Sequence, residues 1–182
     1  LADQLGLLVL PLAVIQDGKE YTDYLDHREL DPKVFYGKLR SGSLGSTSAA
    51  NVEAFRGAME TILQQGKDIL CISFSSALST TCQSAVMAAR ELEESHPDSR
   101  IIVIDSLCAS LGQGMLVYLA AQEKAKGKSI EEAADYVRET IPHLCHWFTV
   151  DDLNHLKRGG RVSAAAGLFG TMLQMKPALH VG

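Results

Sequence analysis

Apolar and polar positions along this 182-residue chain follow two patterns, short unbroken apolar runs and longer stretches with helical spacing. Ile69-Leu70-Cys71-Ile72 and Ile101-Ile102-Val103-Ile104-Asp105 are continuous and mostly branched, as expected of parallel strands covered on both faces. Residues 7–15 (LLVLPLAVI) also read as a strand, with Pro11 at an edge or bulge because it has no N–H for a ladder. Asp17-Gly18 predicts a turn into residues 19–24, and Asp31-Pro32 opens a short helix ending near Arg40. Val52, Phe55, Met59, Ile62 and Leu63 recur at helical spacing, and 84–94 forms a second amphipathic stretch. Gly112 and Gly114 lead into a helix ending near Gly127, and Ser129 with Glu132 has the form of a capping box.

Strand and helix in alternation imply right-handed crossovers and an α/β fold, an open and mostly parallel sheet flanked by helices. This lobe is expected to occupy residues 1–142. From Leu144 the pattern changes, with a strand around Trp147 and a short Asp-capped helix leading to Lys157-Arg158-Gly159-Gly160-Arg161. Residues 143–182 are therefore expected to begin a second, α+β lobe.

Between the first buried strand and its helix lies Ser73 to Ser84, SFSSALSTTCQS, with seven hydroxyl side chains in twelve residues and no charge. That is the carboxyl end of a strand and the amino end of a helix, where free N–H groups and the helix dipole favour an anion. A second hydroxyl patch, Ser46-Thr47-Ser48, precedes the helical pattern that begins at Val52. Any one of these hydroxyls is by default a cap, but seven exceed what a single helix needs.

Composition narrows the class. Hydrophobic residues at 46% and charged ones at 21% are ordinary for a globular protein. A net charge of −5 argues against nucleic acid or anionic membrane as a partner. No apolar stretch reaches the roughly 18 residues that span a bilayer, so neither stable membrane insertion nor a signal peptide is expected, and the compartment is expected to be cytoplasmic. Cys71, Cys82, Cys108 and Cys145 form no C-x-x-C pair and read as small apolar residues. Elbow, S-x-x-K and P-loop signatures are absent. His143, Cys145 and His146 are close in sequence, yet a strand would splay them to opposite faces, so no metal site is expected. The start without methionine and the finish inside an apolar run read as cut ends of a longer protein.

With these landmarks placed, the chain resembles the DegV family of bacterial fatty-acid-binding proteins. The stretches that carry the resemblance are Pro11-Leu12 with Gly18 and Tyr21-Thr22-Asp23, Ser46-Thr47-Ser48, Ser75-Ser76-Ala77-Leu78-Ser79, Gln83-Ser84-Ala85, Asp105-Ser106 with Ser110 and Gly112, Leu156 to Arg161, and Met175-Lys176-Pro177. They occur in family order over nearly the whole chain. The resemblance implies a long-chain fatty acid held between two lobes, its carboxylate gripped at Thr47 and Ser79, with Ser48, Ser76, Thr80, Ser106 and Arg161 as further ligand-binding candidates. It implies no catalytic residue and no cofactor, a carrier role, and presentation of the acid to a fatty acid kinase.

The chain departs from the family pattern at Thr80, where glycine is usual, at Cys82, where tyrosine is frequent, and at Ala49-Ala50, which replace Gln-Pro. The resemblance also implies a first strand ahead of Leu1 and further chain beyond Gly182. Phe169, Met172, Leu173 and Met175 are candidates for the acyl tail, with ordinary core as the plain alternative. From a different class, the residues also admit a serine hydrolase using Ser79 or Ser106 with Asp105 and a distant histidine. A third reading is an interaction domain whose hydroxyls are only caps and turns.

Overall fold

The structure, a computed structural model, describes residues 2–150, 153–161 and 178–181. A short helix α1 (Ala2–Leu5) precedes the hairpin β1 (Ala13–Gln16) and β2 (Lys19–Thr22), then α2 (Pro32–Arg40), β3 (Gly45–Ser48) and α3 (Val52–Leu63). The α/β repeat follows as β4 (Ile69–Ser73), α4 (Thr81–Ser95), β5 (Ile101–Asp105), α5 (Ser110–Ala125) and α6 (Ile130–Thr140). A 3-10 turn (Ile141–His143), β6 (Trp147–Phe148), α7 (Leu153–Arg158) and β7 (Leu179–His180) complete the described elements.

Strands β4 and β5 pair in parallel, Ile69 opposite Ile101 through Ser73 opposite Asp105. Side chains alternate across a pleat, so each strand feeds two cores. Ile69 and Ile101 join Phe55, Met59 and Leu63 of α3 and the alanine face of α4, with Cys71 and Val103 against the same cluster. Ile104 joins Leu116 and Ala120 of α5 and Ala134 and Val137 of α6, with Leu70, Ile72 and Ile102 alongside. The unbroken apolar runs thus have the cause read from sequence, a helix pair on either face. Ala85, Ala88 and Ala89 are buried at one-turn spacing, which lets α3 lie close to α4. Among the described residues no helix is long and apolar enough to cross a membrane.

Cap chemistry lies where the sequence predicts it. Asp31 Oδ1 accepts the N–H groups of Lys33 and Val34 at 2.7 and 3.2 Å, and Ser129 and Glu132 form the reciprocal box. The expected strand over 7–15 is shorter than predicted. Its ladder begins at Ala13, two residues beyond Pro11, and Leu8 and Val9 are exposed. The Ser-Thr-Ser patch, ahead of α3 as expected, forms a strand that the sequence did not announce, β3, antiparallel to β1 in a separate sheet of order β2-β1-β3. A third, two-stranded sheet joins β6 to β7.

The β1–β2 turn holds more than its hairpin. Asp17 and Gly18 have φ of 55° and 75°, the left-handed pair that a two-residue hairpin turn requires. The Asp17 carboxylate accepts from Ser43 Oγ at 2.6 Å and Lys38 Nζ at 3.0 Å, which pins α2 and its exit loop to the turn. Helix α2 has no buried residue, so this polar latch matters to its position. The Ser43 hydrogen bond, then that of Lys38, holds the Asp17 carboxyl below its ordinary value of 3.8. A depressed folded value means that the latch is fully present above 3.8 and is lost as pH falls through the folded value. Hydrogen exchange should therefore show α2 losing protection ahead of α3 to α6 on acidification, and an Asp17→Asn variant should lose it at neutral pH. Equal protection of α2 in wild type and variant at neutral pH would refute the latch.

Candidate ligand-binding site

The carboxyl ends of β4 and β5 are knitted together by their loops. Ser106 N–H donates to Ser73 O at 3.1 Å and Ser75 N–H to Cys108 O at 2.9 Å. Asp105 Oδ1 accepts two backbone donors, Ser76 N–H from the neighbouring loop and Leu107 N–H from its own, each at 3.1 Å. Gln113 Nε2, from the first turns of α5, donates to Ile72 O at 3.0 Å. Leu107 and Ser110 have φ of 49° and 45°, a conformation unfavourable by roughly 1 kcal/mol for residues with a Cβ. The surrounding hydrogen bonds hold them in it.

The hydroxyls divide into two groups. Ser75 Oγ accepts Ala77 N–H at 3.2 Å, and Ser106 Oγ donates to Cys108 O and accepts Cys108 N–H, both at 3.1 Å. Both serines are wholly buried and build the loops. The second group faces a groove of about 1850 Å³. Thr47, Ser48, Ser76, Ser79, Thr80 and Arg161 line it, so β3 brings Thr47 to the same cavity as Ser79. Ser106 does not line the groove, because its hydroxyl is turned into the Cys108 backbone and sealed there.

Ser79 has a double task. Its Oγ shares a hydrogen bond with Thr81 Oγ1 at 2.8 Å and accepts Thr81 N–H at 3.2 Å, which starts α4 three residues before the expected Ser84. Thr80 is the N-cap, yet its side chain makes no cap bond. Arg161 Nε donates to Leu78 O at 3.3 Å, and its Nη1 donates to Gly159 O. The Lys-Arg-Gly-Gly-Arg turn is thereby tied to the hydroxyl loop from far along the chain. Among the described residues Ser79 bonds to Thr81, the Ser106 hydroxyl is turned into the Cys108 backbone, and Asp105 Oδ1 serves two backbone groups.

Much of the rest of the groove is apolar. Leu111 is 87% exposed, Leu44 73% and Trp147 65%, and all three line it, beside Phe35 and Leu39 of α2. Large apolar side chains are thus left open on one concave face. Charge adds a second character, since Arg158 and Arg161 line the groove while its acid, Asp17, is engaged by Lys38. An anion with a greasy body fits both.

Three of the four thiols are inert parts of the scaffold. Burial, then neighbouring Cys82, pushes Cys71 up to about 11, and burial followed by the Asp105 charge raises Cys82 and Cys108. Cys145 is exposed, contrary to the reading of the cysteines as buried apolar residues. Among the described residues no group of three His, Cys, Asp or Glu could hold a metal ion. His146 instead packs on Gly112, where an added Cβ would lie 2.0 Å from its Nδ1. Sequence reading missed this contact, and Gly112 in the first turn of a helix was the available signal. Phe169, Met172, Leu173 and Met175 lie outside the described residues, as do Asp151 and Asp152, the expected cap of α7.

Fold and groove together define an α/β protein with a broad groove beside the carboxyl ends of its parallel strands. The DegV family model matches residues 1–182, and the chain belongs to that family. A DegV domain-containing protein of Clostridium perfringens is 51% identical over 165 residues, 91% of this chain and 56% of that protein. The structure of a fatty-acid-binding DegV family protein from Thermus thermophilus matches with a TM-score of 0.85 and 33% identity, covering 100% of this chain and 62% of that one. A stearic-acid-binding protein from Eubacterium ventriosum gives 0.76 and 26%, covering 91% and 58%. The chain thus spans a little over half the length of these relatives.

The Asp105 knot is open to test. Asp105→Ala leaves two backbone donors without their acceptor, so urea unfolding should show a loss of about 1.5–3 kcal/mol, and amides over 76–79 should exchange faster. Unchanged exchange over 76–79 would show that the carboxylate does not hold the loop.

Proposed function

We propose that the chain forms the head-group-binding part of a long-chain fatty acid carrier. One observation carries the reading: Thr47 on β3 and Ser79 in the loop between β4 and α4 line one groove whose remaining walls include exposed apolar side chains and two arginines. The fatty acids named for the Thermus and Eubacterium proteins support the same ligand class. Residues 1–142 form the α/β lobe in this reading, and 143–182 open the second lobe, across which the tail is enclosed.

The division of labour follows from magnitudes. Each buried methylene contributes about 0.8 kcal/mol, so a long tail offers on the order of 10 kcal/mol before association entropy is subtracted. Each hydrogen bond to a carboxylate adds roughly 1.5–3 kcal/mol and fixes which end of the ligand lies where. The tail supplies affinity and the hydroxyls supply orientation. Thr47 and Ser79 grip the carboxylate, Ser48, Ser76 and Thr80 surround it, and Arg161 adds positive charge from the turn after α7. Neutral hydroxyls leave the carboxylate reachable, which suits a carrier that presents its acid to a fatty acid kinase and performs no chemistry of its own.

Lipid extracted from the purified full-length protein should contain a long unbranched acid by mass spectrometry. Thr47→Val, which keeps the β-branched shape, and Ser79→Ala should each weaken binding of a fluorescent fatty acid roughly 10- to 150-fold. Thermal unfolding is measured in parallel for Ser79→Ala, because that variant also loses the bond to Thr81 N–H. Full-length protein consistently free of acyl chains, or variants that bind as wild type does, would overturn the reading.

A further inference from the structure

The His146 ring lies against the backbone of α5 at Gly112. Gly112 is buried in the first turn of α5, and a Cβ there would lie 2.0 Å from His146 Nδ1, 2.6 Å from Cε1 and 3.0 Å from Cγ. The imidazole therefore occupies the space that any other residue at 112 would fill. The Phe148 ring lies beside it, tilted, with its centroid 6.2 Å away. Gly112, His146 and Phe148 all line the groove, in company with Leu111, Met115 and Leu144. A half-buried ring wedged between a helix backbone and an aromatic side chain is a wall with little freedom to move.

We propose that His146, seated on Gly112, closes the α5 side of the groove and sets how long an acyl chain the protein accepts. The proposal rests on the fatty-acid reading of the groove and adds a specificity determinant to it. His146 acts by occupying volume along the apolar wall, not by bonding to the carboxylate. A shorter side chain at 146 lengthens the space available to the tail, and each methylene newly buried there tightens binding roughly fourfold. Gly112 is the enabling partner, since its missing side chain is what admits the ring.

The test measures competition by saturated acids of increasing length against a fluorescent fatty acid on the full-length protein. His146→Ala should move the length optimum toward longer chains, and His146→Phe, which keeps a ring without ring nitrogens, should leave it near wild type. Gly112→Ala should lower both affinity and melting temperature, and Gly112→Ala combined with His146→Ala should recover the values of His146→Ala alone, a strongly non-additive pair. An unshifted length profile in His146→Ala overturns the proposal, as does an equal loss across all lengths, which would place His146 at the carboxylate instead. Additive effects of the two substitutions would overturn the role of Gly112. Wild type that binds no acid of any length removes the fatty-acid reading itself, a result distinct from a length profile that does not move.

Discussion

The structure depends on the carboxylate of Asp105. Parallel strands leave their loops at one end with many backbone groups to satisfy, and here a single oxygen joins the loop after β4 to the loop after β5. The ladder continues one step beyond the strands through Ser106 and Ser73, and Ser75 reaches Cys108. These bonds fix the backbone from which Ser76, Ser79 and Thr80 project. The groove hydroxyls therefore inherit their positions from the sheet through an ionic hydrogen-bonding centre, and they need little rigidity of their own.

Much of the α/β lobe was legible in the sequence because its signals are local or periodic. Caps at Asp31 and Ser129 depend on residues two and three positions away, and the strand runs at 69–72 and 101–104 carry their burial in their composition. The failures share a cause. Gly45–Ser48 has no apolar alternation, and it becomes a strand only through its register with β1, Thr47 opposite Val14. The start of α4 at Thr81 was hidden because a first turn rich in hydroxyls reads as loop until the Ser79 bond to Thr81 is known. Pro11 weakened the first strand more than an edge position allows for, and the ladder formed after it.

The hydroxyl cluster shows why counting functional residue types is not enough. Density alone does not separate the roles: Ser75 and Ser106 are spent on turns while Ser76, Ser79 and Thr80 line the groove. Ser79 belongs to both groups, since the bond that starts α4 also fixes its rotamer beside the cavity. Turn-building and groove-lining hydroxyls therefore stand side by side, a few residues apart. What separates them is where each hydroxyl finds its partner, the loop backbone for Ser75 and Ser106 and the open side of the groove for Ser76 and Thr80.

The contrast among the thiols has a practical consequence. Cys71, Cys82 and Cys108 are held protonated by burial, whereas Cys145 stands open on the groove wall. Thiolate is the species that alkylating dyes attack. Among the described residues Cys145 is the exposed thiol, so a maleimide fluorophore attached there would sit where its emission senses whether the neighbouring cleft is wet or filled.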